Sequence, residues 1–261
     1  MKTVHIVLQC QGSIGKSFVS SMLCQYFRDY LGKTIAAVDT DGANPTLVGY
    51  KYLPVQLVSI YDGDSIDPRK LDTVGEIVED AGDDCHIIID NGIGTFNVFR
   101  EWLVESRIIH HWIESGIRVL LHTMIVGGQC MLTTINGFVD LAEDFDLEVP
   151  IFVVWINDYF GDVQTSDCES FEEFSAYKDH ADKIAAVIRF PDRPLSGFRL
   201  DLSRVMAAQR TFASVFANKD RWSIMTRHRM NLWWNDMCSE LDDKLAVLVD
   251  EAGEQRQLSP L

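Results

Sequence analysis

Val4-His5-Ile6-Val7-Leu8 runs directly into Gln9-Cys10-Gln11-Gly12-Ser13-Ile14-Gly15-Lys16-Ser17. A short apolar run feeds a loop of small residues. The loop closes on Gly-Lys-Ser where a helical pattern begins. Such a loop wraps phosphates: its backbone N–H groups point inward and the lysine ammonium reaches the outer phosphates. The serine hydroxyl joins the shell of a Mg²⁺ ion. The usual pattern has glycine six residues before the lysine, and Cys10 stands there. A plain β–α turn with an exposed lysine is the competing reading, and the rest of the chain must separate the two.

Downstream, strands and helices alternate. Phe18, Val19, Met22, Leu23, Tyr26, Phe27 and Tyr30 recur at helical spacing, which predicts a helix over Ser17–Leu31, stopped by Gly32. Thr34–Val38, Val55–Ile60, His86–Ile89, Val119–Val126, Ile151–Ile156 and Ile184–Phe190 read as strands. Asp62–Asp67 reads as an acidic loop. Helical patterns cover Pro68 to about Ala81, the span from Val98 to Trp112, Gly127 to about Ala142, Arg199–Phe216 and Arg221–Glu251. Near-continuous apolar strands between helices predict an α/β fold, a mostly parallel, doubly wound sheet with helices on both faces. Without a repeat or linker, residues 1–252 read as one domain, and 253–261 as a loose tail.

In such sheets ligands sit beyond the carboxyl ends of the strands. Gln9–Ser17, Asp39, Asp41, Asp90 and Asn157 all fall there. Asp39 and Asp41 flank Thr40, and residues two apart in an extended segment point to one side. Two carboxylates can then face Lys16 and a Mg²⁺ ion, one holding metal-bound water and the other orienting the attacking water. An acidic turn with only a capping role is the alternative. Ile87-Ile88-Ile89-Asp90 is an apolar strand closed by a carboxylate, a common setting for a Mg²⁺-linked aspartate. The amide of Asn157 can pair with a donor and an acceptor on a purine edge, or be a turn residue.

Together these segments resemble the ParA/MinD class of ATPases with a deviant Walker A loop, and within it the TraL family of plasmid conjugative transfer. The resemblance covers most of the chain. Asp39-Thr40-Asp41, Ile89-Asp90-Asn91-Gly92, Gly127-Gly128-Gln129 and Val153-Val154-Trp155-Ile156-Asn157 carry it beside the loop. It implies a P-loop nucleotide-binding domain with ATP and Mg²⁺ as cofactors. By position, Gln11, Gly12, Ser13, Ile14, Gly15, Lys16, Ser17 and Phe18 surround the phosphates. Ser17, Asp39 and Asp90 stand on the metal side. Lys16 and Asp41 are the catalytic pair, Asp41 positioning the attacking water. Asn157 reads adenine, and Pro191-Asp192 lies along the nucleotide. Implied partners are ATP and ADP, proteins of plasmid transfer or maintenance, and a second copy in a nucleotide-dependent homodimer.

The chain departs from the class at two places. Gln11 stands where the class has a second lysine, which reaches the partner's ATP in the dimer. An amide carries no charge to neutralise developing phosphate charge. Cys10 and Ser13 occupy glycine positions, and neither enters positive φ as cheaply. The expectation is therefore ATP binding with weak or absent hydrolysis. Cys10 reads either as an oxidation-sensitive thiol or as a small residue in a glycine slot.

The 261 residues are 47% hydrophobic, enough for a sizeable core, and the formal net charge is −16. That charge argues against whole-surface adhesion to DNA or anionic lipid. Six cysteines without a C-x-x-C pair fit reduced thiols in the cytoplasm. No run is long enough to span a membrane, and an N-terminus entering a strand directly leaves no room for a signal peptide. His110-His111 lacks ligand partners at metal spacing and reads as structural. From Arg189 to Arg229 the charge is +6 against −22 for the remainder. Aromatics interleave with those arginines, so the segment reads as a nucleic-acid surface, a dock for an acidic protein, or amphipathic helices with buried aromatics. A nucleotide-free scaffold and a small-molecule kinase or ligase are the alternative functions.

Overall fold

The computed structural model describes residues 1–63, 65–145, 147–193 and 196–249; the tail expected over 253–261 lies outside them. Seven parallel strands form the central sheet: β1 (Thr3–Val7), β2 (Thr34–Asp39), β3 (Val55–Leu57), β6 (Cys85–Asp90), β7 (Arg118–Val126), β8 (Phe152–Asn157) and β9 (Ile184–Arg189). Their order is β3-β2-β6-β1-β7-β8-β9. The chain leaves β1 toward one edge, returns through β6, and builds the other edge from β7 onward. The order therefore reverses beside β1, the place where doubly wound sheets open a binding crevice. β4 (Tyr61–Asp62) and β5 (Ser65–Ile66) make a small antiparallel hairpin where the sequence suggested an acidic loop.

Alternation along β1 divides the core. Val4, Ile6 and Leu8 face a cluster holding Phe99, Trp112 and Phe138. Those come from α3 (Phe96–Glu105), α4 (Ile108–Glu114) and α5 (Met131–Asp144), with α2 (Asp72–Asp80) beside them. Val7 faces the opposite cluster, built on α1 (Lys16–Gln25), α7 (Ser196–Ala207), α8 (Phe212–Ala217) and α9 (Ile224–Leu241). The short α6 (Ser175–Lys178) lies between β8 and β9.

Several helices differ from their sequence patterns. The pattern over Val98–Trp112 is two helices, parted at Arg107 in the left-handed conformation with φ 51. The apolar spacing continues across the break because both helices bury their inner residues against the same face. Arg199–Phe216 likewise breaks at Gln209, φ 48, and Thr211 caps α8. The helix expected to Leu31 loosens into a π turn over Tyr26–Tyr30, and Gly32 follows at φ 66. α9 begins later than expected, at Ile224, because the Ser223 side chain accepts from the Thr226 N–H.

The aromatics of the basic segment belong mainly to the core: Phe198, Phe212, Trp222, Trp233 and Trp234 are buried. Three of its arginines are ion-paired, Arg189 to Glu172, Arg193 to Asp236 and Arg229 to Asp201. That is the amphipathic-helix reading. Among the described residues, no helix is long and apolar enough to cross a membrane.

Candidate nucleotide site

Register brings the strand ends together. Val7 pairs with Asp90, and Asp39 pairs with Asp90 across the next ladder. The loop after β1 thus starts level with both carboxylates.

Gln9 anchors that loop. Its buried amide nitrogen lies 3.1 Å from Thr123 Oγ1, the Met124 carbonyl and the Thr134 carbonyl, which share its two N–H groups, and its oxygen accepts from the Cys10 N–H at 2.7 Å. A Cβ on Gly137 of α5 would fall 2.3 Å from the Gln9 amide oxygen and 2.7 Å from the Cys10 sulfur. Only glycine lets the helix approach so closely. Burial raises the Cys10 thiol above its ordinary range, which keeps it protonated and favours the small-residue reading of Cys10.

The loop turns through Ser13 at φ 58 and Gly15 at φ 105, then opens α1. Cys10 is not among the positive-φ residues, so its departure from glycine carries no backbone strain. Ser13 carries it instead. Among the described residues, no backbone N–H from Gln11 to Ser17 donates a hydrogen bond. These are the groups a phosphate would accept from. Lys16 is 7% exposed, and its ammonium donates to the Gln11 carbonyl at 2.6 Å. Burial lowers its pKa, while Asp90, Cys10 and Asp41 act to raise it.

Asp90 is fully buried, which raises its carboxyl to about 7 against the hydrogen bonds from Ser17 and Ser20. The Ser20 hydroxyl is 2.8 Å away. Asp39 accepts from the N–H groups of Asp41, Leu47 and Val48 at 2.9–3.2 Å, so it holds the following loop together. Asp41 accepts from the Asn44 N–H at 3.0 Å and packs directly on Gly92. Mg²⁺ in such sites takes one or two protein oxygens and leaves the rest to water and phosphate. The Ser17–Asp90 pair fits that demand, with Asp39 beside it. No set of three or more His, Cys, Asp or Glu residues arranged for a metal occurs among the described residues.

Asn157 bridges the end of β8 to the loop. Its amide donates to the Ile14 carbonyl at 3.0 Å and accepts from the Tyr159 N–H at 3.1 Å. Beside it opens a cavity of about 400 Å³. Ser13, Ile14, Gly15, Phe18, Asn157, Pro191 and Asp192, all singled out from sequence, line one side. The other side was not foreseen: Tyr159 and Phe160, Phe198 and Met206 of α7, and Trp233 of α9. Tyr159 and Phe160 are 58% and 47% exposed at its mouth. Two exposed aromatics directly after a strand are a readable signal; the α7 contribution depends on tertiary packing. Gln11, Gly12, Lys16, Ser17, Asp39, Asp41 and Asp90 are not among the lining residues.

No family model matches the chain. Two curated proteins of Escherichia coli, each named Protein TraL, are similar to it. One is 34% identical over 242 residues, 93% of this chain and 98% of that protein. The other is 32% identical over 243 residues, with the same coverage. Among solved structures, the ParA family ATPase from Chlorobium tepidum TLS is 14% identical and superposes with a TM-score of 0.51 over 92% of this chain and 98% of that one. That likeness shows the α/β P-loop fold.

Proposed function

The chain belongs to the TraL family, and from that membership and the site's geometry we propose an ATP-binding protein that acts as a nucleotide-dependent switch in plasmid conjugative transfer or maintenance. One observation carries the reading: among the described residues, the N–H groups of Gln11–Ser17 have no acceptor, and they open a helix beside the buried Asp90 carboxyl. Ser17 and Asp90 would hold Mg²⁺, with Asp39 close by, and the ion would offset phosphate charge. Lys16 would leave the Gln11 carbonyl for the phosphates. The base would enter the cavity beside Asn157.

A switch needs a loop whose state reaches the surface. The loop after β2 is tied at both ends. Asp39 gathers its N–H groups, and Gln209, between α7 and α8, donates to the Thr46 carbonyl at 2.9 Å. Movement of Asp41 toward a nucleotide would therefore pull on the layer of α7 and α8 and change the surface offered to a partner. Gln11 carries no charge, so hydrolysis is weak or needs a partner, and a homodimer would lack the second-lysine contact.

Calorimetric titration with ATP, with and without Mg²⁺, tests the proposal. Mg²⁺-dependent binding that Lys16→Ala weakens is expected. The inward fold of Lys16 and the Asn157–Ile14 bond favour a second reading, a nucleotide-free scaffold whose site is closed on itself. No heat and no thermal shift at millimolar ATP would select it.

A further inference from the structure

Three histidines that no sequence motif marks stand on three adjacent central strands: His86 on β6, His5 on β1 and His122 on β7. All are buried, at 4%, 0% and 0% exposure. His5 Nδ1 lies 3.0 Å from His122 Nε2, and His5 Nε2 lies 3.1 Å from His86 Nδ1. Trp155 on the next strand, β8, places its indole Nε1 3.0 Å from His122 Nδ1. Four side chains on four neighbouring strands thus form one continuous chain.

The indole fixes its direction, because an indole N–H donates and never accepts. His122 Nδ1 must therefore accept, so its proton sits on Nε2 and points at His5 Nδ1. His5 then carries its proton on Nε2 and donates to His86 Nδ1. His86 in turn keeps a proton on its outward Nε2. An added proton on any ring makes a donor face a donor. Each resulting rearrangement of protons ends at His122 Nδ1, where Trp155 offers no acceptor. The geometry therefore keeps all three rings neutral. Burial acts in the same direction, lowering His86 to about 4, His122 to about 3 and His5 well below its ordinary value.

Aromatic contacts continue the chain at both ends, and at the Trp155 end they reach the cavity. At one end the Phe27 ring, one residue into the π turn after α1, stacks on His86 at 3.8 Å. At the other, Trp155 lies 5.6 Å from Phe190, which is 6.2 Å from Phe18 and 6.4 Å from Trp233. Phe18, Phe190 and Trp233 line the cavity.

We propose that His86, His5 and His122 act as one positioning unit, a one-way hydrogen-bond chain of neutral Nε2–H rings that locks the Trp155 indole beneath the cavity and sets its aromatic floor for the ligand. Only the identity of that ligand rests on the nucleotide reading.

The test has two arms. Long-range ¹⁵N–¹H correlation on the ligand-free full chain at pH 7 should show Nε2–H tautomers for all three rings. A ring with its proton on Nδ1, or carrying two protons, overturns the chain. The second arm compares His122→Leu with His122→Gln. Glutamine can accept from Trp155 and donate to His5, whereas leucine can do neither. Leucine should shift the Trp155 indole N–H resonance and weaken ATP binding about tenfold; glutamine should keep both within twofold of wild type. Equal ATP affinity in folded leucine and wild-type protein would overturn the positioning role. If wild type binds no ATP, the nucleotide reading fails, and the tautomers and the indole resonance still decide the chain.

Discussion

The ammonium of Lys16 donates to the carbonyl oxygen of Gln11 at 2.6 Å, so the group proposed to reach the phosphates is folded onto the loop that would hold them. Binding must exchange that neutral acceptor for a charged one. A hydrogen bond to a charged group contributes about 1.5–3 kcal/mol. Lys16→Ala should therefore weaken ATP binding about 10- to 100-fold while the fold persists, as read by calorimetry and circular dichroism. Gln11→Lys should add phosphate release and an ATP-dependent dimer, read by a turnover assay and light scattering. A variant that stays monomeric and inert would mean that Gln11 is not what limits hydrolysis.

Ser13 holds the left-handed conformation, φ 58, on the exposed side of the loop. That conformation costs a residue with a Cβ about 1–2 kcal/mol. Glycine removes the strain but gains freedom in the unfolded chain, which returns about half of it. Ser13→Gly should raise stability by about 0.5–1 kcal/mol, seen as a higher urea midpoint at unchanged slope.

Asp41 and Gly92 occupy one space. A Cβ on Gly92 would fall 1.9 Å from Asp41 Oδ2 and 2.5 Å from Asp41 Cβ. Asp41 lies on a half-exposed loop, so it can move where the sheet cannot. Gly92→Ala should leave the circular dichroism spectrum intact and displace Asp41, abolishing any turnover measured for wild type or for Gln11→Lys. Gly12→Ala is the structural control, because its Cβ would meet Ile93 at an ordinary 3.4 Å. Its stability should stay within about 0.5 kcal/mol of wild type.

The strand ends could be read from sequence because each buried parallel strand is an apolar run that stops at a polar residue. Asp39, Asp90 and the loop then follow from order and register. The helix breaks at Arg107 and Gln209 were hidden, since the apolar period continues across both. The cavity was half legible: its loop side follows a motif, whereas Phe198, Met206 and Trp233 reach it through packing of α7 and α9. The histidine chain was invisible. His5 sits within an apolar run, and its partners are 81 and 117 positions away, so only strand register aligns them.

That chain also predicts how the protein meets acid. The three rings have folded pKa values below the ordinary histidine value, so the unfolded chain takes up protons first as pH falls. Their contribution to stability is complete above about pH 6.5; it is lost toward about 4 for His86 and about 3 for His122. Lys33 and the amino terminus add to the depression at His86, and Asp84 opposes it. Asp90 and Asp39 work the other way. Burial raises both carboxyls, Asp90 to about 7, so their contribution is complete in acid and is lost as pH rises. Burial raises Asp158 in the same way, so the rings and the raised carboxyls oppose one another and a wild-type profile alone does not isolate the rings. His122→Gln isolates one ring, because it removes a titrating group and keeps both hydrogen bonds. Each proton tilts stability by about 1.4 kcal/mol per pH unit. Relative to the variant, the wild-type urea midpoint should therefore fall from pH 7 through 6 to 5, by about one proton's slope. Parallel profiles would mean that His122 is not the buried neutral ring its two hydrogen bonds require.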